Sequence, residues 1–270
     1  MNENILVYPI SYKSRKDIIK IKPIMDLHKG SKTCDLKAFK KFISDNDDLT
    51  YYYTNGDLWD AIYFRDKRFK ASGHDKTDKD DAIDEEVDEM VELLSPIKER
   101  LICIGHGNHE EQVLKMCLTN MSKRLATALK VPYLGYSFWV RLKLECNNAR
   151  GRSIDIFSTH GFGGGTRTEG GSVTKYSKYA DRYDCDIFVA GHDHRLQFVK
   201  YPLLAIAGDN QVKMFSKSKL VCLGGSWKKA YSGDTSTTWE ETKGFPASLM
   251  GGMTIEIKVK DPGVDINASM

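Results

Sequence analysis

Residues 101–110, LICIGHGNHE, join an apolar run to a turn of metal-binding side chains, and the fold class is best predicted from this segment. The run from Leu101 to Ile104 has the composition of a short strand that is buried on both faces. The turn after it, Gly107-Asn108-His109-Glu110, places an amide, an imidazole and a carboxylate next to one another. Such a junction is typical of α/β folds, in which ligands bind beyond the carboxyl ends of the strands.

Four other segments repeat this arrangement of an apolar run followed by metal-binding side chains. The runs are residues 21–25, 50–54, 154–159 and 187–190, and the segments that follow them are Asp26-Leu27-His28, Gly56-Asp57-Leu58-Trp59-Asp60, His160-Gly161 and Gly191-His192-Asp193-His194. Five of the seven histidines in the chain lie at these junctions. Because loops at the carboxyl edge of a sheet gather residues that are distant in sequence, the pattern predicts one hydrolytic site that holds two metal ions.

Length and composition favour one large domain. A chain of 270 residues with 41% apolar residues can form a well-buried core, and we predict a single domain over residues 1–270. The net charge of +3 does not predict nucleic-acid or membrane binding, although a local basic face remains open. The apolar stretch at residues 5–10 is interrupted by Pro9 and is too short for a signal peptide or a membrane span. We therefore expect a cytoplasmic location and no membrane partner.

The six cysteines predict neither a structural zinc site nor disulfides. They include no Cys-x-x-Cys pair. Cys103 and Cys185 lie in or beside predicted core strands, and Cys117 falls on the apolar face of a predicted helix. We expect all three to be buried thiols.

Helical spacing between the motifs completes the α/β pattern. Residues 35–46 and 84–99 are predicted helices, the first capped by Asp35. A longer apolar stripe, Val113, Cys117, Met121, Leu125 and Leu129, predicts one helix that ends at Pro132. Residues 136–145 and 154–159 predict a hairpin, and the chain is mostly β from residue 195 onward. The highly charged stretch at residues 65–81 is predicted to be a mobile surface loop.

Taken in order, Asp-x-His, Gly-Asp-x-x-Asp, Gly-Asn-His-Glu, His-Gly and Gly-His-x-His resemble the motifs of the calcineurin-like metallophosphoesterase superfamily, over residues 26–194. Gly-Asn-His-Glu and Gly-His-x-His are the specific motifs in this set. The resemblance implies a four-layer α/β/β/α sandwich, in which two mixed sheets pack face to face with helices outside. The β-rich part that begins at residue 195 agrees with a second sheet.

The resemblance also implies two metal ions that share one carboxylate. One ion would be held by Asp26, His28, Asp57 and His194, and the other by Asp57, Asn108, His160 and His192. Two cations about 3.5–4 Å apart neutralise a phosphate ester, orient it and activate a water molecule. Mixed carboxylate, imidazole and amide ligands favour Mn, Fe or Zn over Mg, and Mn is the favoured ion.

His109 does not bind metal in the pattern that the chain resembles. It would face the leaving group as general acid, with the carboxylate of Asp60 fixing its tautomer. Arg167, in the glycine-rich stretch after His160, can grip a phosphate oxygen, which makes it a candidate substrate contact. A plain flexible loop is an equally good interpretation of that stretch.

Several of these residues also have ordinary structural interpretations. A lone Asp-x-His is usually a capped turn, and Asn108 alone could be a turn residue, but the surrounding motifs favour ligands. His106 is expected to be structural and His74 to be solvated, while Tyr51, Tyr52 and Tyr53 are predicted to pack in the core. The sequence leaves the place of Trp59 open between the wall of the site and the support of the sheet.

The substrate predicted first is a phosphodiester, as in a nuclease, with nucleic acid or a nucleotide as partner, because Gly-Asp-Leu-Trp-Asp is similar to the segment in double-strand-break repair nucleases of the superfamily. The alternative is a phosphomonoester. A protein phosphatase ranks low, since Ala61-Ile62 replaces the Arg-Gly of those enzymes. A non-catalytic interaction module is the remote alternative.

Overall fold

The computed structural model describes residues 4–63, 66, 81–146, 149–166, 168–207, 213–231, 237–261 and 263–270. Its larger sheet has six strands, in the order β1-β6-β7-β8-β10-β9. These strands are β1 (Ile5–Ser11), β6 (Ser137–Cys146), β7 (Ala149–Thr159), β8 (Ile187–Ala190), β9 (Leu196–Ala207) and β10 (Lys213–Gly224). β7, β8 and β10 run parallel, while β6 pairs antiparallel with β7 and β9 pairs antiparallel with β10. The sheet is therefore mixed.

The second sheet has four strands, in the order β12-β11-β2-β3, and is also mixed. These strands are β2 (Ile19–Ile24), β3 (Thr50–Thr54), β11 (Thr254–Val259) and β12 (Val264–Ser269). A parallel bridge between Tyr52 and Leu101 continues it towards the short pair β4 (Ile104–Gly105) and β5 (Tyr133–Gly135). The segment from Leu101 to Gly105, which precedes the Gly107-Asn108-His109-Glu110 turn, thus lies beside β3.

Helices cover the outer faces of the two sheets. They are α1 (Leu36–Ser44), α2 (Ala82–Leu94), α3 (Asn108–Cys117), α4 (Met121–Leu129), α5 (Glu169–Ala180) and α6 (Trp239–Lys243), and a 3₁₀ turn (Ser95–Arg100) follows α2. Two buried lysines on strands stabilise helix ends. Lys22 on β2 donates to the carbonyls of Phe42 and Asp45 at the end of α1. Lys219 on β10 donates to those of Ala180 and Tyr183 at the end of α5.

Three apolar cores separate the layers. The central core joins the inner faces of both sheets, for example Ile21 and Tyr53 with Phe138 and Ile156. A second core packs the smaller sheet against α1 to α4, and a third packs the larger sheet against α5. This is the predicted four-layer α/β/β/α sandwich, and the prediction of fold class is confirmed.

The predicted long helix after Glu110 is wrong in one respect: it is two helices. The first helix ends at Leu118, which adopts a left-handed conformation with φ of 54°. Two residues later, the side chain of Asn120 accepts the backbone N–H of Lys123 and caps α4. Cys117 is the last residue of α3, directly before the break, and it is exposed and not buried as predicted. Cys103 and Cys185 are buried as expected.

Five elements lie outside the sequence predictions: β1, β5, α5, α6 and β12. The charged stretch at residues 65–81, apart from Asp66 and Asp81, lies outside the described residues. Among the residues that are described, no helix has both the length and the apolar character that a membrane crossing requires.

Candidate metal centre

All five predicted junctions meet at one edge of the sandwich. Five of the predicted ligands have left-handed backbones, namely Asp26, His28, Asp57, His192 and His194, with φ between 49° and 70°. Non-glycine residues adopt this conformation at a cost, and such strain is concentrated at functional sites. The chain therefore turns sharply at the carboxyl ends of β2, β3 and β8, where these ligands lie.

Asp26, His28 and His194 form the first cluster. The Nε2 atoms of His28 and His194 are 3.0 Å apart. His194 Nε2 is also 3.5 Å from Asp26 Oδ1, and His28 Nε2 is 4.0 Å from the same oxygen. The carboxylate of Asp26 accepts the backbone N–H of His192, which ties the loop after β8 to the end of β2. Together these three residues can hold one metal ion.

Asp57, Asn108, His160 and His192 form the second cluster. Asn108 Oδ1 lies 3.0 Å from His160 Nε2 and 2.7 Å from His192 Nδ1. Asp57 Oδ2 is 3.2 Å from His160 Nε2 and 3.9 Å from His28 Nε2. This oxygen therefore lies between the two clusters, as a shared ligand must. The chain thus brings all seven predicted metal ligands together in the arrangement that the motifs imply.

The chemistry of these donors fits cations. One nitrogen of each of three rings faces an acceptor within the protein: His160 Nδ1 faces the carbonyl of Asn55 at 2.9 Å, His28 Nδ1 faces the carboxylate of Asp60 at 3.2 Å, and His192 Nε2 faces the carbonyl of Gly163 at 2.7 Å. If those nitrogens carry the ring protons, the other nitrogens present lone pairs to the carboxylate and amide oxygens of the clusters. Lone pairs that converge at such distances suit a divalent cation placed between them.

Glycine at position 107 permits the second cluster to form. A Cβ atom there would lie 2.2 Å from Asp57 Oδ1. Gly56 has φ of +90°, and a Cβ atom there would lie 2.4 Å from the backbone nitrogen of Gly107. The loops after β3 and β4 can approach this closely only because neither residue has a side chain.

Glu110 is a residue that the motif contained but the predicted site omitted. It is fully buried, and its carboxylate accepts the backbone N–H groups of Asp57, Leu58 and Gly107 at 2.9, 2.7 and 2.9 Å. Burial and the Asp57 carboxylate raise its pKa. Glu110 therefore joins the two loops that supply Asp57 and Asn108. Its position next to His109 in a strand-end turn is the only sign of this in the sequence.

Asp60 contacts two histidines of the site, one with its carboxylate and one with its backbone. That carboxylate accepts from His28 Nδ1, so it orients a metal ligand. It is the backbone carbonyl oxygen of Asp60 that forms a short hydrogen bond with His109 Nδ1. The physical reason is that the chain turns at Asp60 so that its backbone faces α3 and its side chain faces the loop after β2. His109 Nε2 is directed towards the metal site, 3.9 Å from Asp57 Oδ2.

The two buried aspartates of the site differ in their pKa values. Burial and the Asp57 carboxylate, opposed by His160, raise the pKa of Asp26 to about 7. Burial also disfavours the charged form of Asp57, yet His160 and His109 hold its pKa well below the usual range. The two carboxylates thus compete for the same positive charge, a conflict that two divalent cations relieve.

The other residues considered from the sequence are either structural or lie outside the described residues. His106 is buried, with Nδ1 3.1 Å from Ser122 Oγ, as expected for a structural residue. Trp59 is fully buried and donates from Nε1 to the carbonyl of Glu86, so it supports the core. Tyr52 and Tyr53 are buried, and Tyr51 packs against the central core. Arg167 and His74 lie outside the described residues.

Two lysines beside the ligands have no motif of their own. Lys228 Nζ is 3.9 Å from Asp60 Oδ1 and 3.2 Å from Glu240 Oε1. Lys175 Nζ donates to Asp193 at 2.8 Å, and Asp193 is buried between the ligands His192 and His194. These contacts neutralise carboxylates that adjoin the metal ligands. Both lysines are separated from the motifs in sequence, so spacing could not have identified them.

No family model matches the sequence, and no curated protein matches it. Solved structures that resemble the fold include the calcineurin-like phosphoesterase YfkN from Bacillus subtilis, with 11% identity, a TM-score of 0.42 and coverage of 93% of this chain and 90% of that one. A metallophosphoesterase from Sphaerobacter thermophilus has 12% identity, a TM-score of 0.39 and coverage of 94% and 89%. Vps29 from Entamoeba histolytica, complexed with zinc, has 13% identity, a TM-score of 0.38 and coverage of 93% and 98%.

Two of these structures are thus described as a calcineurin-like phosphoesterase and a metallophosphoesterase, and all three TM-scores are below 0.5.

Proposed function

We propose that the protein is a metal-dependent phosphoesterase that uses two divalent cations, with Mn²⁺ as the favoured ion, and that its substrate is a phosphodiester. The observation that carries the proposal is the position of Asp57 Oδ2, 3.2 Å from His160 in one cluster and 3.9 Å from His28 in the other. A single metal site has no need of a carboxylate so placed. Cations at the two clusters would neutralise the ester and acidify the attacking water.

The residues of the chain supply orientation and proton transfer. Asp60 and the carbonyl of Asn55 fix the rings of His28 and His160, so that their Nε2 atoms face the site. The carbonyl of Asp60 accepts from Nδ1–H of His109, so in its imidazolium form His109 also holds a proton on Nε2, at the edge of the ligand set. It is therefore placed to protonate the leaving oxygen as the ester bond breaks.

The residues that follow Asp60 favour the proposal of a diester substrate over that of a monoester. Ala61 is buried there, and Ile62 comes next, so neither position offers a cation to grip the extra charge of a monoester. The non-catalytic alternative is disfavoured because interaction modules of this fold have no need of a complete ligand set.

The test is hydrolysis of bis-p-nitrophenyl phosphate and of p-nitrophenyl phosphate by the purified protein with Mn²⁺. We expect a higher kcat/KM on the diester. A higher value on the monoester would replace the proposed substrate class, and no turnover of either ester, with Mn²⁺ demonstrably bound, would overturn the enzymatic proposal. Asp57→Asn is the matched control, since it changes one shared ligand and should abolish both activities.

A further inference from the structure

A surface groove lies directly beside the metal centre, between α5 and the loop that follows β7. Its volume is about 330 Å³, and it is lined by Phe162, Lys175, Lys178, Tyr179 and Arg182. Three of these five side chains are cations, two are aromatic, and none is acidic. Neither the metal ligands nor the proposed proton transfer makes use of the groove.

The cations follow one face at the C-terminal half of α5. Lys178 and Arg182 are exposed, and neither has a carboxylate partner among the residues described. The acidic residues nearest to Arg182 in sequence are engaged elsewhere, since Asp181 accepts from the hydroxyl of Tyr201 and Asp184 pairs with Lys217. The groove therefore presents net positive charge to solvent, although the whole chain has a net charge of only +3.

The aromatic rings are accessible and are fixed by their neighbours. Phe162 is 41% exposed, and its ring meets that of Tyr179 edge to face, with centroids 4.7 Å apart. Lys175 Nζ lies 5.4 Å from the centroid of Phe162, and Arg182 Cζ lies 6.0 Å from that of Tyr179. An exposed aromatic ring flanked by cations is the combination with which proteins stack bases and hold the backbone of single strands.

The groove is continuous with the metal centre. Phe162 follows the ligand His160 by two positions, and its backbone carbonyl accepts from Lys175 Nζ at 3.1 Å. The same ammonium group binds Asp193, between the ligands His192 and His194. The groove therefore adjoins the loop that carries His192 and His194.

We propose that this groove binds a segment of single-stranded nucleic acid that flanks the scissile phosphate. The inference rests on the proposed phosphodiesterase function and extends it to a polynucleotide substrate. Phe162 stacks on a base, while Lys178 and Arg182 contact backbone phosphates. DNA and RNA share the chemistry that these side chains recognise, so the experiment includes both.

The experiment measures fluorescence anisotropy of labelled, phosphorothioate-linked oligomers of deoxythymidine and of uridine, about 15 nucleotides long to exceed the span of such a groove, with the Mn²⁺-loaded protein. Because these linkages resist cleavage, binding is read separately from hydrolysis. We expect Lys178→Gln with Arg182→Gln to weaken binding on the order of 10-fold and to reduce the slope of log K against log salt by about 1.4, the value for two phosphate contacts. Phe162→Leu should weaken binding by about 5-fold or more.

The matched control is Lys40→Gln with Lys41→Gln, which removes the same charge from exposed positions near the end of α1, in the opposite outer layer. Unchanged binding in the α5 double variant, an equal loss in the control, or no binding of either oligomer to the wild type would each overturn the proposal. Preference for one oligomer distinguishes a DNA from an RNA ligand, and a deoxyuridine oligomer separates the effect of the sugar from that of the thymine methyl group. Loss of binding in the α5 variant together with failure to hydrolyse any diester would reject the proposed function but retain the groove.

Discussion

The Nε2 atoms of His28 and His194 lie 3.0 Å apart, although 166 positions separate the two residues in sequence. Asp60 engages the other nitrogen of His28, so the two Nε2 atoms face each other at the edge of the sheets. Burial, together with the nearby His28 and Lys228, holds the pKa of His194 well below its usual range. Its ring is therefore neutral at physiological pH and offers a lone pair, which is the form that binds metal.

Asp60→Asn should weaken Mn²⁺ binding by roughly 10- to 100-fold, because the carboxylate orients His28 and not the general acid. Since His109 is held by the backbone carbonyl of Asp60, the loss of activity should be similar for esters with good and with poor leaving groups. Calorimetry with Mn²⁺ and kinetics on p-nitrophenyl and alkyl diesters test this, with Asp48→Asn as an exposed control. Unchanged Mn²⁺ affinity, with a loss confined to alkyl esters, would restore the original assignment of the carboxylate to His109.

His109→Ala should retain both metals and lose activity chiefly where the leaving group needs a proton. On an alkyl diester we expect kcat to fall by about 10²–10⁴-fold, and on bis-p-nitrophenyl phosphate by much less, because p-nitrophenolate leaves without protonation. Metal analysis of the purified variant provides the control for binding. Equal losses on the two esters, or full activity on the alkyl ester, would show that His109 is not the general acid.

Glu110→Ala should destabilise the fold as well as the site. Removing the carboxylate leaves three buried backbone N–H groups without their acceptor, at a cost of about 3 kcal/mol or more in the free energy of unfolding. Glu111→Ala, at the adjacent and more exposed position, should cost less than about 1 kcal/mol. Urea unfolding of the two variants measures the difference, and equal values would mean that Glu110 does not hold the loops together.

Lys22→Met should cost about 1–3 kcal/mol, because the methionine fills the same space but leaves the last carbonyls of α1 without a donor. Lys20→Met on the same strand is the control, since Lys20 only pairs with Asp47 at the surface and should contribute less than about 1 kcal/mol. Thermal or urea unfolding compares them. A Lys22 variant as stable as the control would show that removing the buried charge offsets the lost cap.

The sequence was sufficient to predict that the candidate ligands lie together, because each follows a strand that the apolar pattern makes visible. Residues 50–54 and 187–190 were predicted as strands with the bounds that the structure has, and the helix capped by Asp35 was also predicted correctly. These elements are local: their spacing, caps and turn residues lie within a few positions of one another.

Elements that depend on tertiary contacts were not predictable in this way. The helix α5 contains Gly170 and Gly171 and has a weak helical pattern, so its position depends on packing against the larger sheet through Tyr176 and on the contact of Lys175 with Asp193. The apolar stripe after Glu110 continued across Leu118, and only the backbone shows the break. The orienting atom for His109 is a backbone oxygen, which no side-chain motif can reveal.

The proposed two-metal site has one carboxylate, that of Asp57, between its two cations. Its most direct test is a crystal structure of the Mn²⁺-reconstituted protein with anomalous data recorded at the manganese edge. We predict two peaks about 3.5–4 Å apart, one within reach of Asp26, His28 and His194 and the other within reach of Asn108, His160 and His192. A single peak, or two peaks that do not share Asp57, would contradict the proposed two-metal site.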